Sequence, residues 1–295
     1  MNRGPFLYAA VTIAIIAISF GATLIRLAGD APVLAIAAWR LSISFLLLLP
    51  ALAPRRARAA MGRTEFLLSM GSGVFLSLHF ISWIFSLRYT SVASSVVLVS
   101  TSPIFVGLGS RFILRERLSR PLVLAIGLSV AGAAIIGWGD LRIGGGAILG
   151  DLMAIGGAIM ASAYFLLGRR IRRTTPLQTY ILTTYGTAAV FLLLVCLAAS
   201  QPLLGFPAPT YLYLFFLALG PQVIGHSTFN WALRHLSAAT VAILTLGEPI
   251  GATVIAYLIL GEAVSLVKGI GAAIILAGIY LSLRHERRAA ALPSP

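Results

Sequence analysis

Long apolar runs separated by short, arginine-bearing gaps dominate the chain. Ten runs can be marked: Phe6–Ile25, Pro32–Leu52, Glu65–Leu87, Ser91–Leu114, Pro121–Trp138, Ala147–Gly168, Leu177–Ser200, Thr210–Leu233, Ser237–Leu260 and Val264–Leu283. Each is close to the roughly 20 residues that a helix needs to cross the hydrocarbon core of a bilayer. The pattern predicts an all-α polytopic membrane protein with ten transmembrane helices. The gaps are too short for a separate soluble domain. The first run follows Arg3 and is longer than the apolar core of a signal peptide, so it is expected to stay as the first helix.

Composition agrees with the pattern. Of the 295 residues 59% are hydrophobic and 10% charged, with a mean hydropathy of +0.98. A soluble domain is about one quarter charged. The net charge of +14 would point to nucleic acid in a soluble protein, but here the basic residues cluster between the runs. With the N-terminus in the cytoplasm, one membrane side collects all 22 basic residues except Arg26, Arg40, Arg88, Arg142 and Lys268. This is the positive-inside asymmetry, and it places both termini in the cytoplasm. Cys196 is the single cysteine, so no internal disulfide can form, and no Cys/His metal spacing occurs.

The chain also repeats itself. At a shift of 146, Leu87-Arg88 falls on Leu233-Arg234, Ser91 on Ser237, Ala93 on Ala239, Leu98 on Leu244 and Pro103 on Pro249. Leu114, Glu116 and Ser119 fall on Leu260, Glu262 and Ser265, and Ala131-Gly132 on Ala277-Gly278. Nearer the start, Pro32 and Leu46–Leu49 match Pro176 and Val190–Leu193 at a shift of 144. The halves are residues 1–146 and 147–295, with five spans each. Five is odd, so the second half enters the membrane in the opposite orientation. Inverted repeats are a signature of secondary transporters, although duplication alone could also enlarge a helical scaffold.

The second half carries Leu246-Gly247-Glu248-Pro249-Ile250, then Leu260-Gly261-Glu262, then the small-residue run from Gly269 to Gly278. This resembles the closing motif of the EamA repeat of the drug/metabolite transporter superfamily. The first half holds a weaker copy in Ser102-Pro103, Leu114-Arg115-Glu116 and Gly127 to Gly132. It departs from the motif at Ser102, where Glu would precede Pro. Trp39-Arg40 in the second span also fits the family. The resemblance implies ten helices, a substrate cavity between two bundles, and export of amino acids or related metabolites across the cell inner (plasma) membrane. The chain as a whole is similar to the YddG-type exporters of aromatic and other neutral amino acids. No cofactor is implied. The expected partners are a small-molecule substrate and the lipid bilayer, with no nucleic acid, in a monomer or a homodimer.

Several polar positions inside the runs are candidates for a cavity. Ser72, His79, Trp83 and Ser86 share one helical face of span three. Gln222, His226 and Asn230 fall at i, i+4 and i+8 in span eight. Polar intramembrane residues mark substrate paths, and they equally serve as hydrogen-bonding glue between helices. Ser95 in span four, Tyr164 in span six and Thr183 in span seven add hydroxyls and an aromatic wall. Glu248 sits near the middle of span nine, where an ionised carboxylate costs at least about 2.5 kcal/mol. It is either a proton or amine site, or a protonated group bonded to a carbonyl freed by Pro249. Pro103 and Pro249 occupy matching positions and are expected to be hinges or fixed bends. Arg40 is open to pairing with a carboxylate or to snorkelling. The small residues Gly127, Ala131, Gly132, Gly269, Ala273 and Ala277 suit close packing, inside the chain or in a dimer. Gly144-Gly145-Gly146 follows no strand and is expected to be a connector. An intramembrane hydrolase would need a nucleophile–base pair, and no such pairing is recognisable.

Overall fold

The computed structural model describes residues 4–52, 61–90, 92–116, 118–138, 147–260 and 266–291. The expected join of the halves with Gly144 to Gly146, and Glu262, lie outside the described residues. The first half holds α1 (Gly4–Ser19), α2 (Gly21–Leu27), α3 (Val33–Leu48), α4 (Arg63–Tyr89), α5 (Val92–Val99), α6 (Ser102–Phe112) and α7 (Arg120–Trp138). The second holds α8 (Ala147–Arg172), α9 (Leu177–Ala198), α10 (Ala208–Leu217), α11 (Ser227–Ala232), α12 (Ala238–Thr245), α13 (Gly247–Leu260) and α14 (Leu266–Ala291). A π-helical segment, Ala218–His226, joins α10 to α11.

Among the described residues, six helical stretches are long and apolar enough to cross a membrane: Pro5–Leu27, Arg63–Tyr89, Ile148–Arg172, Leu177–Ala198, Ala208–Ala232 and Ala238–Ile259. Val33–Leu48, Arg120–Ile135 and Gly269–His285 are shorter apolar helices. The remaining expected span is the broken pair α5 and α6.

Packing turns the usual soluble arrangement inside out. Phe112, Ile148, Leu258 and Leu266 are all more than 70% exposed. The largest fully buried side chains include Arg40, Tyr164, Tyr180 and Tyr185. Such an apolar exterior fits a lipid surround. Buried hydroxyls return to the carbonyl one turn back, as in Ser44 to Arg40 O, Ser77 to Gly73 O and Ser162 to Ala158 O. These hydroxyls are thereby paired within their own helices, as a nonaqueous surround requires.

The helix pairs have the pattern of two exchangeable halves. α4 packs on α8, and the repeat-related pair, the π segment and α1, packs in the same way. α4 also packs on α9, as the π segment does on α3. The pairs α3–α9, α6–α12 and α7–α14 map onto themselves. Glycine permits the closest approaches. A β-carbon at Gly73 would lie 2.5 Å from Thr184 O, and one at Gly132 2.7 Å from Gly271 O. Gly132 is therefore used inside the chain, against α14. By contrast Gly127, Ala131, Gly269, Ala273 and Ala277 are exposed.

Candidate functional site

Among the described residues, four helical rods lose regular α winding beside one cavity. The first breaks at Phe20, between α1 and α2. The fourth breaks at Ser100-Thr101, between α5 and α6, and the ninth at Leu246, between α12 and α13. The eighth widens into the π segment, which contains Pro221. Each break frees backbone groups, and nearby hydroxyls take up some of them. Thr101 Oγ1 donates to Leu98 O at 2.6 Å and Thr245 Oγ1 to Ala242 O at 2.7 Å. Pro103 and Pro249 fall in the first turns of α6 and α13. The N–H that proline lacks has no intrahelical partner there in any case.

These interruptions surround a cavity with about 640 Å³ of non-atom space, part of it continuous with the exterior. Ile18 and Gly21 flank the first break, Val99, Ser100 and Ser102 the second, and Thr245 and Glu248 the third. Pro221 and His226 come from the π segment, and Phe229 from α11. Arg40 of α3, His79 and Trp83 of α4, and Ala161, Tyr164 and Phe165 of α8 close the wall. Three pairs of lining positions, Trp83 with Phe229, Val99 with Thr245 and Ser102 with Glu248, are related by the 146-residue shift. The cavity therefore sits where the two halves face each other.

Its polar groups are held from behind. Arg40 lies mid-helix in α3 and is 1% exposed, so it does not snorkel. Its Nε donates to Gln222 Oε1 at 2.8 Å, and its Cζ stands 3.9 Å above the Phe80 ring centroid. Its Nη1 has no partner. Behind it runs a buried network. Ser227 Oγ bonds Gln222 O at 3.4 Å and Tyr185 OH at 3.2 Å. Asn230 Nδ2 reaches Tyr185 OH at 3.4 Å and also donates to Tyr164 OH. His79 Nδ1 meets Gly157 O at 2.9 Å. A carbonyl only accepts, so Nδ1 carries a proton, and in the neutral ring Nε2 is the acceptor. The His79 and Trp83 rings stack 6.1 Å apart. Trp83 Nε1 and His226 Nδ1 have no partner. Glu248, in the first turn of α13, is favoured there by the helix dipole. Among the described residues, ion pairs join only Glu116 to Arg169 (3.3 Å) and to Arg173 (2.6 Å). Arg40 and Glu248 share one cavity without touching.

Of the residues singled out by sequence, His79, Trp83, Tyr164, His226 and Glu248 line this cavity. Gln222 and Asn230 are buried behind it and steer Arg40 and Tyr164. The spacing i, i+4, i+8 assumes α winding, and the π segment breaks that assumption between Gln222 and Asn230. Ser95 bonds Ser86 at 2.5 Å between α5 and α4, and Thr183 Oγ1 donates to Thr179 O at 2.9 Å. Neither is in the cavity wall. Ser72 is likewise engaged with Tyr180 OH at 2.7 Å. Sequence reasoning left Gly21, Phe80 and Ser100 unmarked. Only the glycine beside a bulky aromatic at Phe20-Gly21 offered a signal.

The apolar helices and the polar-lined cavity where they break describe a multi-pass helical membrane protein. Comparison with known proteins agrees. The chain belongs to the EamA-like transporter family, which matches residues 5–138 and 148–284. It is 25% identical over 230 residues to the "Uncharacterized transporter YetK" of Bacillus subtilis (strain 168), covering 76% of this chain and 68% of that one. It is 23% identical over 228 residues to a "Probable amino-acid metabolite efflux pump" of Salmonella typhimurium, covering 73% and 76%. A protein solved by crystallography, 20% identical, shares the fold with a TM-score of 0.79 over 97% of this chain and 99% of its own. The family and these relatives point to a transporter and not to an enzyme.

Proposed function

We propose that this chain exports small metabolites, neutral and aromatic amino acids foremost, across the cell inner (plasma) membrane. It does so with ten spans arranged as two inverted five-helix repeats, 1–146 and 147–295, both termini in the cytoplasm. The repeats rock about the cavity so that it opens to one side at a time. His79, Trp83, Tyr164, His226 and Glu248 form the substrate wall. Gln222 and Asn230 hold it, and Ser95 and Thr183 serve helix packing beside it. Pro103 and Pro249 start the half-helices that swing.

The observation that carries this reading is the cavity's position. It lies where interrupted helices of both halves meet, and binding sites of inverted-repeat transporters are built from such discontinuous helices. Its aromatic and imidazole rings suit stacking with an apolar or aromatic side chain. The name of the Salmonella relative supports amino acids as the cargo class. Counterflow in proteoliposomes with a panel of labelled amino acids and nucleosides tests it. Exchange of aromatic and neutral amino acids is expected. Flux of nucleosides alone, or no flux for any member of the panel, would sink the amino-acid assignment.

A further inference from the structure

We propose that the cavity reads the two charged ends of a zwitterion separately, Arg40 and the Trp83 indole N–H taking a carboxylate and Glu248 taking an ammonium group. This rests on the amino-acid reading above and names what selects within that class.

The first leg is the unfinished valence of Arg40. A guanidinium presents five N–H donors in a rigid fork. Here Nε is spent on Gln222 and one face of the plane is covered by Phe80, while buried Nη1 has no partner. What remains free is the in-plane edge that suits an incoming carboxylate. Trp83 Nε1 is a second buried donor without a partner in the same wall, on a side chain 4% exposed. Indole nitrogen can only donate. Both groups therefore ask for an acceptor.

The second leg is Glu248. An ionised carboxylate can only accept, and no hydrogen bond or ion pair joins Glu248 to another described residue. Buried Arg40 and partly buried Glu248 do not meet, so neither charge compensates the other. A ligand carrying both complementary charges settles both at once, whereas an amine or a simple carboxylic acid settles one.

The third leg is the gap between them. A β-carbon at Gly21 would lie 3.4 Å from Trp83 Cη2 and 4.0 Å from Glu248 Oε1. Glycine at the first helix break thus leaves open the approach between the indole and the carboxylate. The substrate backbone would lie there, with its side chain toward the rings of Tyr164, Phe165 and Phe229.

The test uses the full-length protein with phenylalanine, phenethylamine, 3-phenylpropionate and phenylalanine methyl ester. Two readouts are taken: competition against labelled phenylalanine counterflow in proteoliposomes, and thermal stabilisation of the protein in detergent. Each analogue, lacking one charge, is expected to bind at least about tenfold more weakly than phenylalanine, as loss of a charge-assisted hydrogen bond implies. Glu248→Gln should erase the preference for phenylalanine over 3-phenylpropionate and keep that over phenethylamine. Arg40→Lys should shrink the preference over phenethylamine and over the ester, and leave the other intact. A merely structural role would weaken all four ligands alike in either variant, and that result would overturn the proposal. So would equal binding of phenylalanine and its one-charge analogues by the wild-type protein, even with amino-acid flux present. If phenylalanine stabilises the protein with the expected selectivity but drives no counterflow, the export reading fails and the zwitterion site stands. Absence of both stabilisation and flux removes both.

Discussion

Deleting the acceptor beneath Arg40 tests how the site is held. Gln222→Leu keeps an apolar body of similar size and removes Oε1, which receives Arg40 Nε–H at 2.8 Å. The guanidinium then keeps only the Phe80 ring, 3.9 Å from Cζ. Interhelical hydrogen bonds in membranes average about 0.6 kcal/mol. This donor is charged and its residue only 1% exposed, so about 1.5–3 kcal/mol is the appropriate scale. Gln222 Nε2 already has no partner, so little else is lost with the amide. Arg40→Met alone strands Gln222 Oε1 and costs about 1–3 kcal/mol. The double variant strands neither group, and replacing both partners by apolar side chains is close to neutral. The cycle therefore predicts a coupling of about 1.5–3 kcal/mol. At about 2–4 °C per kcal/mol for a chain of this order of size, Gln222→Leu melts about 3–12 °C below wild type. The double variant is more stable than either single variant. Thermal unfolding of the full-length protein in one detergent measures this, and counterflow on the same samples separates fold from function. Amino-acid flux should be absent in both Arg40→Met proteins, including the stable double variant. Additive single effects within about 0.5 kcal/mol would refute the pairing. Full flux in the Arg40→Met/Gln222→Leu protein would refute the role of the guanidinium.

Further outcomes are expected elsewhere. Gly73→Ala pushes a β-carbon to 2.5 Å from Thr184 O, whereas the same change at Gly71 meets only Leu167 Cδ1 at 3.8 Å. Gly71→Ala should stabilise α4 by up to about 1 kcal/mol and Gly73→Ala destabilise it by about 1–3 kcal/mol; melting in detergent that ranks Gly73→Ala at or above Gly71→Ala contradicts the α4–α9 packing. Gly21→Leu should fill the space between Trp83 and Glu248, stopping phenylalanine counterflow while alanine is slowed less and the melting temperature stays near wild type. Wild-type phenylalanine flux in that variant would remove Gly21 from the site. Orientation is open to labelling once buried Cys196, the single cysteine, is changed to serine. An impermeant maleimide should label Leu204→Cys in intact cells and Arg173→Cys only after permeabilisation, and the reverse pattern would invert the topology.

How far the sequence could be read depends on the reach of each interaction. The long helices follow from apolar runs, a local property, and they are found where the runs lie. The breaks at Ser100-Thr101 and Leu246 were marked within three residues by Pro103 and Pro249. The prolines do not bend continuous helices, however. They begin new ones, because their missing N–H is harmless in a first turn. The break at Phe20 has no proline and left no comparable mark. In span eight the periodic reading failed for a different reason. Pro221 and its π winding shift the register, so His226 reaches the cavity while Gln222 and Asn230 turn to its support. Ser95 and Thr183 show why a hydroxyl in an apolar run is weak testimony. Ser and Thr are satisfied by a carbonyl one turn back or by a neighbouring hydroxyl, with no need of a cavity. Arg40 was visible as an anomaly, but its partner lies 182 positions away. No local pattern connects the two.

The duplication explains why a site should form here at all, and the departures from it explain what the site can read. Two copies of one repeat bring equivalent positions to a shared cavity, as Trp83 with Phe229 and Val99 with Thr245 do. A strictly symmetric lining would offer the same chemistry from both sides. That suits a symmetric ligand better than one with unlike ends. At the third pair the copies diverge, Ser102 facing the carboxylate of Glu248. Arg40 has no cationic counterpart either, since the equivalent position under the 144-residue shift of its span is Thr184. One half thus contributes the cation and the other the anion. Under the proposed alternating access, the same divergence would give the two halves different charged faces, one for each end of the substrate. Transport by such a device needs neither end to be bound tightly. The proposed mechanism asks that the two ends be bound by different halves, and Arg40 in α3 and Glu248 in α13 belong to different halves.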